Sequence, residues 1–165
     1  MLNKSKAGGV FKVTCRDPQG NLKWETESHN LVVNEGLQDM NNQYFTGSGY
    51  SAGWYVGLIS GTSPATITAT DTLASKAWTE FTDYSGNRKA AVFNTASSSD
   101  PSVINNTASK ASFTVTASGN VTGAFLCAGA TGSPLLFSAS NFADYRHVES
   151  GDTLNVEYIF SLDAA

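Results

Sequence analysis

Glu25, Glu27 and His29 fall at alternate positions in the stretch WETESHNLVVNEGLQDM, residues 24–40. Two carboxylates and an imidazole are donor types suited to a metal ion. Their spacing argues against convergence, because Cα atoms two apart along a strand lie roughly 7 Å from each other and leave three side chains in a row. A solvated strand face is the expectation. Ser28 beside His29 makes no nucleophilic dyad, since adjacent strand residues point to opposite faces. For the second histidine, His147, a hydrolase would need an elbow of the GxSxG type; the nearest stretch, GSGYSAG at 47–53, reads as a helix stop. Asp17 and Asn21 resemble a calcium loop only in outline and lack its bidentate glutamate. Cys15 and Cys127 belong to no CxxC pair, which argues against a zinc knuckle or redox motif; their strand contexts predict buried free thiols. No catalytic residue, metal or cofactor is expected, and the chain reads as a non-enzyme.

Aromatic rings offer another chemistry. Trp54, Trp78 and Tyr84, with Tyr55 and Phe81 nearby, could form a glycan platform, flat rings covering sugar faces while Asn and Asp side chains take the hydroxyls. Core packing is the commoner fate of such rings, so their exposure decides.

The elements that must position these residues are mostly strands. VFKVTCR sets Phe11, Val13 and Cys15 against Lys12, Thr14 and Arg16; after the turn DPQGN, LKWETES returns with Leu22 and Trp24 on one face. Residues 10–28 therefore predict a β-hairpin with a five-residue connection. Leu31, Val32 and Val33 enter the core, and Asn34 is expected to cap the one long helix, about Glu35 to Phe45, on which Leu37, Met40 and Tyr44 recur at helical spacing. WYVGLIS, residues 54–60, predicts a buried strand. The chain from Gly61 to Ser102 reads as loop-rich excursions over a sheet edge, with Asp71 capping a short turn and brief extended pieces at AWTEF and AAVFNTA. ASFTVTAS alternates; VTGAFLCA is apolar on both faces and so predicts a central strand; LLFSAS and TLNVEYIFSL complete the set. Seven or eight short strands and one helix, without internal repeats, predict a mainly β protein: an antiparallel β-sandwich, jelly-roll or immunoglobulin-like, forming a single domain over residues 1–165.

Composition limits the partners. Charged residues make up 15% of the chain, below the usual quarter, and Ser, Thr, Asn and Gly fill the difference. Such a surface suits protein contacts, because few charges need desolvating. The net charge is −4 and the basic residues form no stripe, so nucleic acid is not an expected partner. No run of about 18 apolar residues is present to span a membrane, and MLNKSKAGGVFK lacks the apolar core of a secretory signal, which predicts synthesis and folding in the cytoplasm.

The order of the pieces NLVVNEGL, WYVGLISG, DTLASKAWTEFTDYSGNRKAAVF, FTVTASGNVTGAFLCAG, SPLLFSASNF and ESGDTLNVEYIFSL resembles a group of tailed-bacteriophage virion structural proteins, over nearly the whole chain. Its most specific part is YSGNRKAAV, residues 84–92, with Tyr84, Gly86 and Arg88 in the motif positions. The resemblance implies a virion part made in the host cytoplasm. The first expectation is a capsid decoration or cement protein on the outer head surface, acting as a homotrimer or homodimer, partnered by the major capsid protein and stabilising the lattice by binding. The alternative is a tail or fibre component that binds a host receptor or glycan. The N-terminal segment 1–9, with Leu2, Asn3, Lys4 and Lys6, is expected to be a contact arm. Arg88 is expected to be an internal fork holding the Asp83 carboxylate or a strand-end carbonyl, in preference to a partner contact.

Overall fold

The structure, a computed structural model, describes residues 6–47 and 53–164. β1 (Lys6–Arg16) and β2 (Leu22–His29) form the expected hairpin. Its turn is held by Asp17, whose carboxylate accepts the backbone N–H groups of Gln19 at 3.0 Å and Asn21 at 2.8 Å. The expected arm is different. Lys6 to Gly9 are already β1, in antiparallel register with Asp163 to Phe160, so this part of the expected arm is spent on the sheet. Leu2, Asn3 and Lys4 lie outside the described residues.

After β3 (Leu31–Val32) come the helix α1 (Asn34–Asn41), a π-helical turn over Asn42–Thr46, and β4 (Tyr55–Ser60). Then follow β5 (Thr79–Phe81), β6 (Lys89–Ala90), β7 (Ser102–Asn105), β8 (Ala111–Thr114), β9 (Gly119–Cys127), β10 (Leu136–Val148) and β11 (Thr153–Asp163). All pairings among the described residues are antiparallel. The first sheet runs β2-β1-β11, with β7 and β8 end to end on the far side of β11; the second runs β3-β10-β9-β4, with β5 and β6 sharing the far side of β4. The two sheets pack face to face as a β-sandwich, as the alternation predicted.

Phe11, Val13 and Cys15 of the first sheet meet Val56, Leu58, Ala124 and Leu126 of the second, with Phe113, Leu154, Val156 and Tyr158 filling the layer. Each such side chain removed from water contributes about 1.5–3 kcal/mol. A second core lies on the opposite face of the second sheet, where Ile59, Phe125, Cys127, Leu136 and Ala139 meet Val33, Leu73 and Trp78. Val121 to Cys127 are therefore buried on both sides, which is why that strand is apolar without alternation. At Gly57 a Cβ would overlap the Phe125 ring, so glycine lets that ring lie over the strand.

Residues 61–78 are thus a strap across a sheet face, not an excursion over an edge. Asn141 of β10 pins it by exchanging hydrogen bonds with the Ala65 backbone, and Ala69 O accepts the Asn34 N–H. Asp71 caps no helical turn. Its buried carboxylate accepts Thr68 N–H, the Thr68 hydroxyl and the Trp78 indole N–H. The expected Asn34 cap is also displaced: Val33 is the N-cap, without a side-chain hydrogen bond, because its N–H still bonds Phe137 O across to β10. Glu35 accepts the Leu136 N–H at 3.0 Å, and Gly36 sits against the Phe137 carbonyl where a Cβ would overlap it.

Candidate functional site

The motif 84–92 is a clamp. Gly86, at φ 76°, turns the chain between β5 and β6, which aims Arg88 back over the second sheet. The guanidinium grips Glu80, Nε to Oε1 at 2.8 Å and Nη2 to Oε2 at 2.7 Å. It also donates to Gly129 O at 3.3 Å and Gly132 O at 3.0 Å, and it lies 5.3 Å from the Phe125 ring centroid. Burial works against the charge, but the Glu80 hydrogen bonds outweigh it and hold Arg88 above the ordinary arginine value. The expected fork is present, with Glu80 in place of Asp83 as its carboxylate. Tyr84 packs edge-on to Phe113 at 4.8 Å and is buried, which pushes its phenol up to about 12.

The rings expected to form a glycan platform are dispersed through the core. Trp78 and Tyr84 are each 6% exposed, in different core layers, and Trp54 is half-buried with its ring edge-on to Phe137 at 5.3 Å. A platform needs open ring faces gathered on one surface, and here two of the three rings are buried and the third is half-buried.

The ionisable candidates are also apart. Glu25, Glu27 and His29 line the exposed face of β2, as their alternation predicted. His147 Nδ1 lies 3.1 Å from Asn120 Oδ1. Among the described residues no group of three His, Cys, Asp or Glu side chains is placed to hold a metal ion. Cys15 and Cys127 are buried and free. Burial, and then the Asp152 charge beside it, pushes the Cys15 thiol up to about 12. Asp152 itself, 1% exposed, clamps the turn before β11 by accepting Lys23 Nζ at 2.7 Å and Glu149 N–H at 2.8 Å.

What the arrangement leaves open is apolar. Between the sheets, at the helix end, lies a pocket of about 170 Å³ lined by Met40, Trp54, Phe93, Leu126, Phe137 and Phe160 among others. A dry apolar cavity of about 150 Å³ accepts a benzene ring, so this one has room for a single ring or branched aliphatic side chain. One turn beyond Met40, Tyr44 and Phe45 project from the π-helical turn, 83% and 77% exposed, their rings edge-to-face at 4.9 Å. Leu37, Met40 and Tyr44 recur at helical spacing, the pattern of a helix face that can turn to a core. Only Met40 packs against it; Leu37 is 42% exposed. The stripe is legible in the sequence, but whether a layer lies against it is not. No protein-family model matches the chain, and no curated protein does either.

Proposed function

We propose that this chain is a bacteriophage virion structural protein that decorates the outer capsid surface, self-associates, and cements the head by binding the major capsid protein. The observation that carries the reading is the protruding Tyr44–Phe45 pair beside a ring-sized apolar pocket. Exposed aromatics of this kind are enriched at protein interfaces, where a few of them carry most of the binding energy. The weakly charged surface supports the same use, since little desolvation opposes contact. Cementing needs no catalysis: a protein that binds the assembled lattice better than its loose subunits stabilises the lattice by mass action. The order of virion-like sequence pieces supports a virion setting, reached from the host cytoplasm. The tail or fibre reading with a bound glycan loses its platform, because Trp78 and Tyr84 are buried.

The test is co-sedimentation with empty expanded capsids. The intact chain is expected to pellet with them at micromolar concentration, and Tyr44→Ala with Phe45→Ala to weaken binding by roughly thirtyfold or more, the effect of losing about 2 kcal/mol at a hot spot. An intact chain that stays in the supernatant sinks the capsid reading.

A further inference from the structure

The Arg88 clamp borders a second cavity, polar where the first is apolar. About 260 Å³ in volume, it is lined by Glu80, Thr82, Tyr84, Asn87, Arg88 and Thr131 among others. Its walls are fixed on both sides. Ser85 N–H donates to Thr114 O and Thr116 N–H to Asp83 O, each at 2.9 Å, which ties residues 82–85 to the first sheet. Arg88 holds the opposite wall through the Gly129 and Gly132 carbonyls.

One group at this cavity is not explained by packing. The Tyr84 ring lies against Phe81 and Phe113, where a phenylalanine would fit as well without a polar atom to desolvate. A buried tyrosine hydroxyl usually finds a hydrogen-bond partner, yet that of Tyr84 has none among the described residues. Nor is it sealed from solvent, since the fully enclosed side-chain atoms left without a partner belong to Ser28, Asn30 and Arg146. The charges of Glu80 and Arg88 both act on it, which puts the phenol end at the cavity they line.

The other lining groups define what fits. Each Glu80 oxygen accepts one N–H from Arg88 and keeps acceptor capacity for another donor. The Arg88 charge is spent on that carboxylate, so it is not free to hold an anion. Thr82, Asn87 and Thr131 are exposed, and their side chains make no hydrogen bond among the described residues. A buried acceptor beside a buried donor, with hydroxyl and amide groups around them, matches adjacent alcohol groups, which both donate and accept. An anion has no proton to give Glu80. The volume falls just below the roughly 300–1,000 Å³ of drug-sized sites, room for one ring.

We propose that this cavity binds a single uncharged pyranose sugar edge-on, with adjacent ring hydroxyls donating to Glu80 and accepting from Tyr84. Asn87 and the two threonines take the remaining hydroxyls, and Arg88 is a positioning residue that holds Glu80 in place. The sugar is gripped by its hydroxyls, not stacked on open rings, so the burial of Trp78 and Tyr84 does not oppose it. The inference stands apart from the capsid reading, because a chain that never binds a head keeps this cavity.

The test is an amide-resolved NMR titration with the methyl glycosides of glucose, galactose and mannose, which between them carry trans and both cis arrangements of adjacent hydroxyls. At least one is expected to shift the amides of residues 80–88 and 129–132 and to saturate at millimolar concentration. Tyr84→Phe keeps the ring and is expected to weaken that binding about five- to tenfold, the share of one hydrogen bond, with the rest of the spectrum unchanged. Asn87→Ala, at an exposed position, is expected to weaken it about threefold and carries the test if Tyr84→Phe fails to fold. Cyclohexanol, a ring with one hydroxyl, and sulfate are expected to leave these amides in place. Silence with all three glycosides overturns the proposal, and so do shifts confined to another surface, full affinity in the folded variants, or an equal response to cyclohexanol or sulfate.

Discussion

The outer faces of the two sheets are built oppositely. The first sheet shows water Lys12, Glu25 and Glu27, side chains of mixed charge over alternating strands. The second hides its outer face under residues 61–78 and the Arg88 clamp, with Trp78 5.1 Å and the Arg88 guanidinium 5.3 Å from the Phe125 ring. The difference teaches where the stability resides. One face is interchangeable polar surface, and the other is a second core whose covering must be anchored at Asp71, Asn141 and Glu80.

Substitutions can break that contrast. The largest effect is expected for Trp78→Ala, which empties the space between Phe125 and the strap and costs about 3–5 kcal/mol in denaturant unfolding. Glu25→Ala on the bare face is expected to stay within about 0.5 kcal/mol; equal losses at the two sites would abolish the distinction. Arg88→Met leaves Glu80 without its cation in a mostly buried setting and is expected to cost about 3 kcal/mol. Adding Glu80→Gln should recover part of that loss, and a double-mutant cycle measures the coupling. Asp71→Ala strips the acceptor from Thr68 and Trp78, for an expected loss of about 1–3 kcal/mol with the protein still folded.

A small effect is also expected at Glu157, which is buried on the first sheet. Burial raises the Glu157 carboxyl, but the hydrogen bond from the Thr107 hydroxyl and the Lys110 ammonium outweigh it, leaving the group below the ordinary glutamate value of 4.5. A depressed carboxyl stabilises the fold above that ordinary value, and the contribution fades as pH falls through the folded-state value. Lys110→Ala should therefore flatten the acid limb of the stability profile, by less than about 1 kcal/mol because Lys110 is largely solvated. An unchanged limb would show that Thr107 alone holds the carboxylate.

Much of this architecture was readable from residue order. The hairpin around 17–21 followed from alternation and turn residues, and the double burial of β9 from its lack of alternation. β7 escaped notice because SVIN, residues 102–105, is too short to show a period; its pairing with β11 comes from tertiary contact. The bulge in β10 was equally silent, since LLFSAS gives no sign that the strand continues past Asn141 through Arg146. The Arg88 fork was foreseen in kind but not in partner. Asp83 is nearer in sequence, yet the turn at Gly86 brings Arg88 over β5, where Glu80 projects.

Alternation and turn chemistry are local, so the chain's own order settled which stretches are strands and which of their faces are apolar. Packing chose what covers each face: a strap over the second sheet, water over the first, and nothing among the described residues over Tyr44 and Phe45. That choice depends on segments distant along the chain meeting in space, and a periodicity of two or of 3.6 carries no record of them.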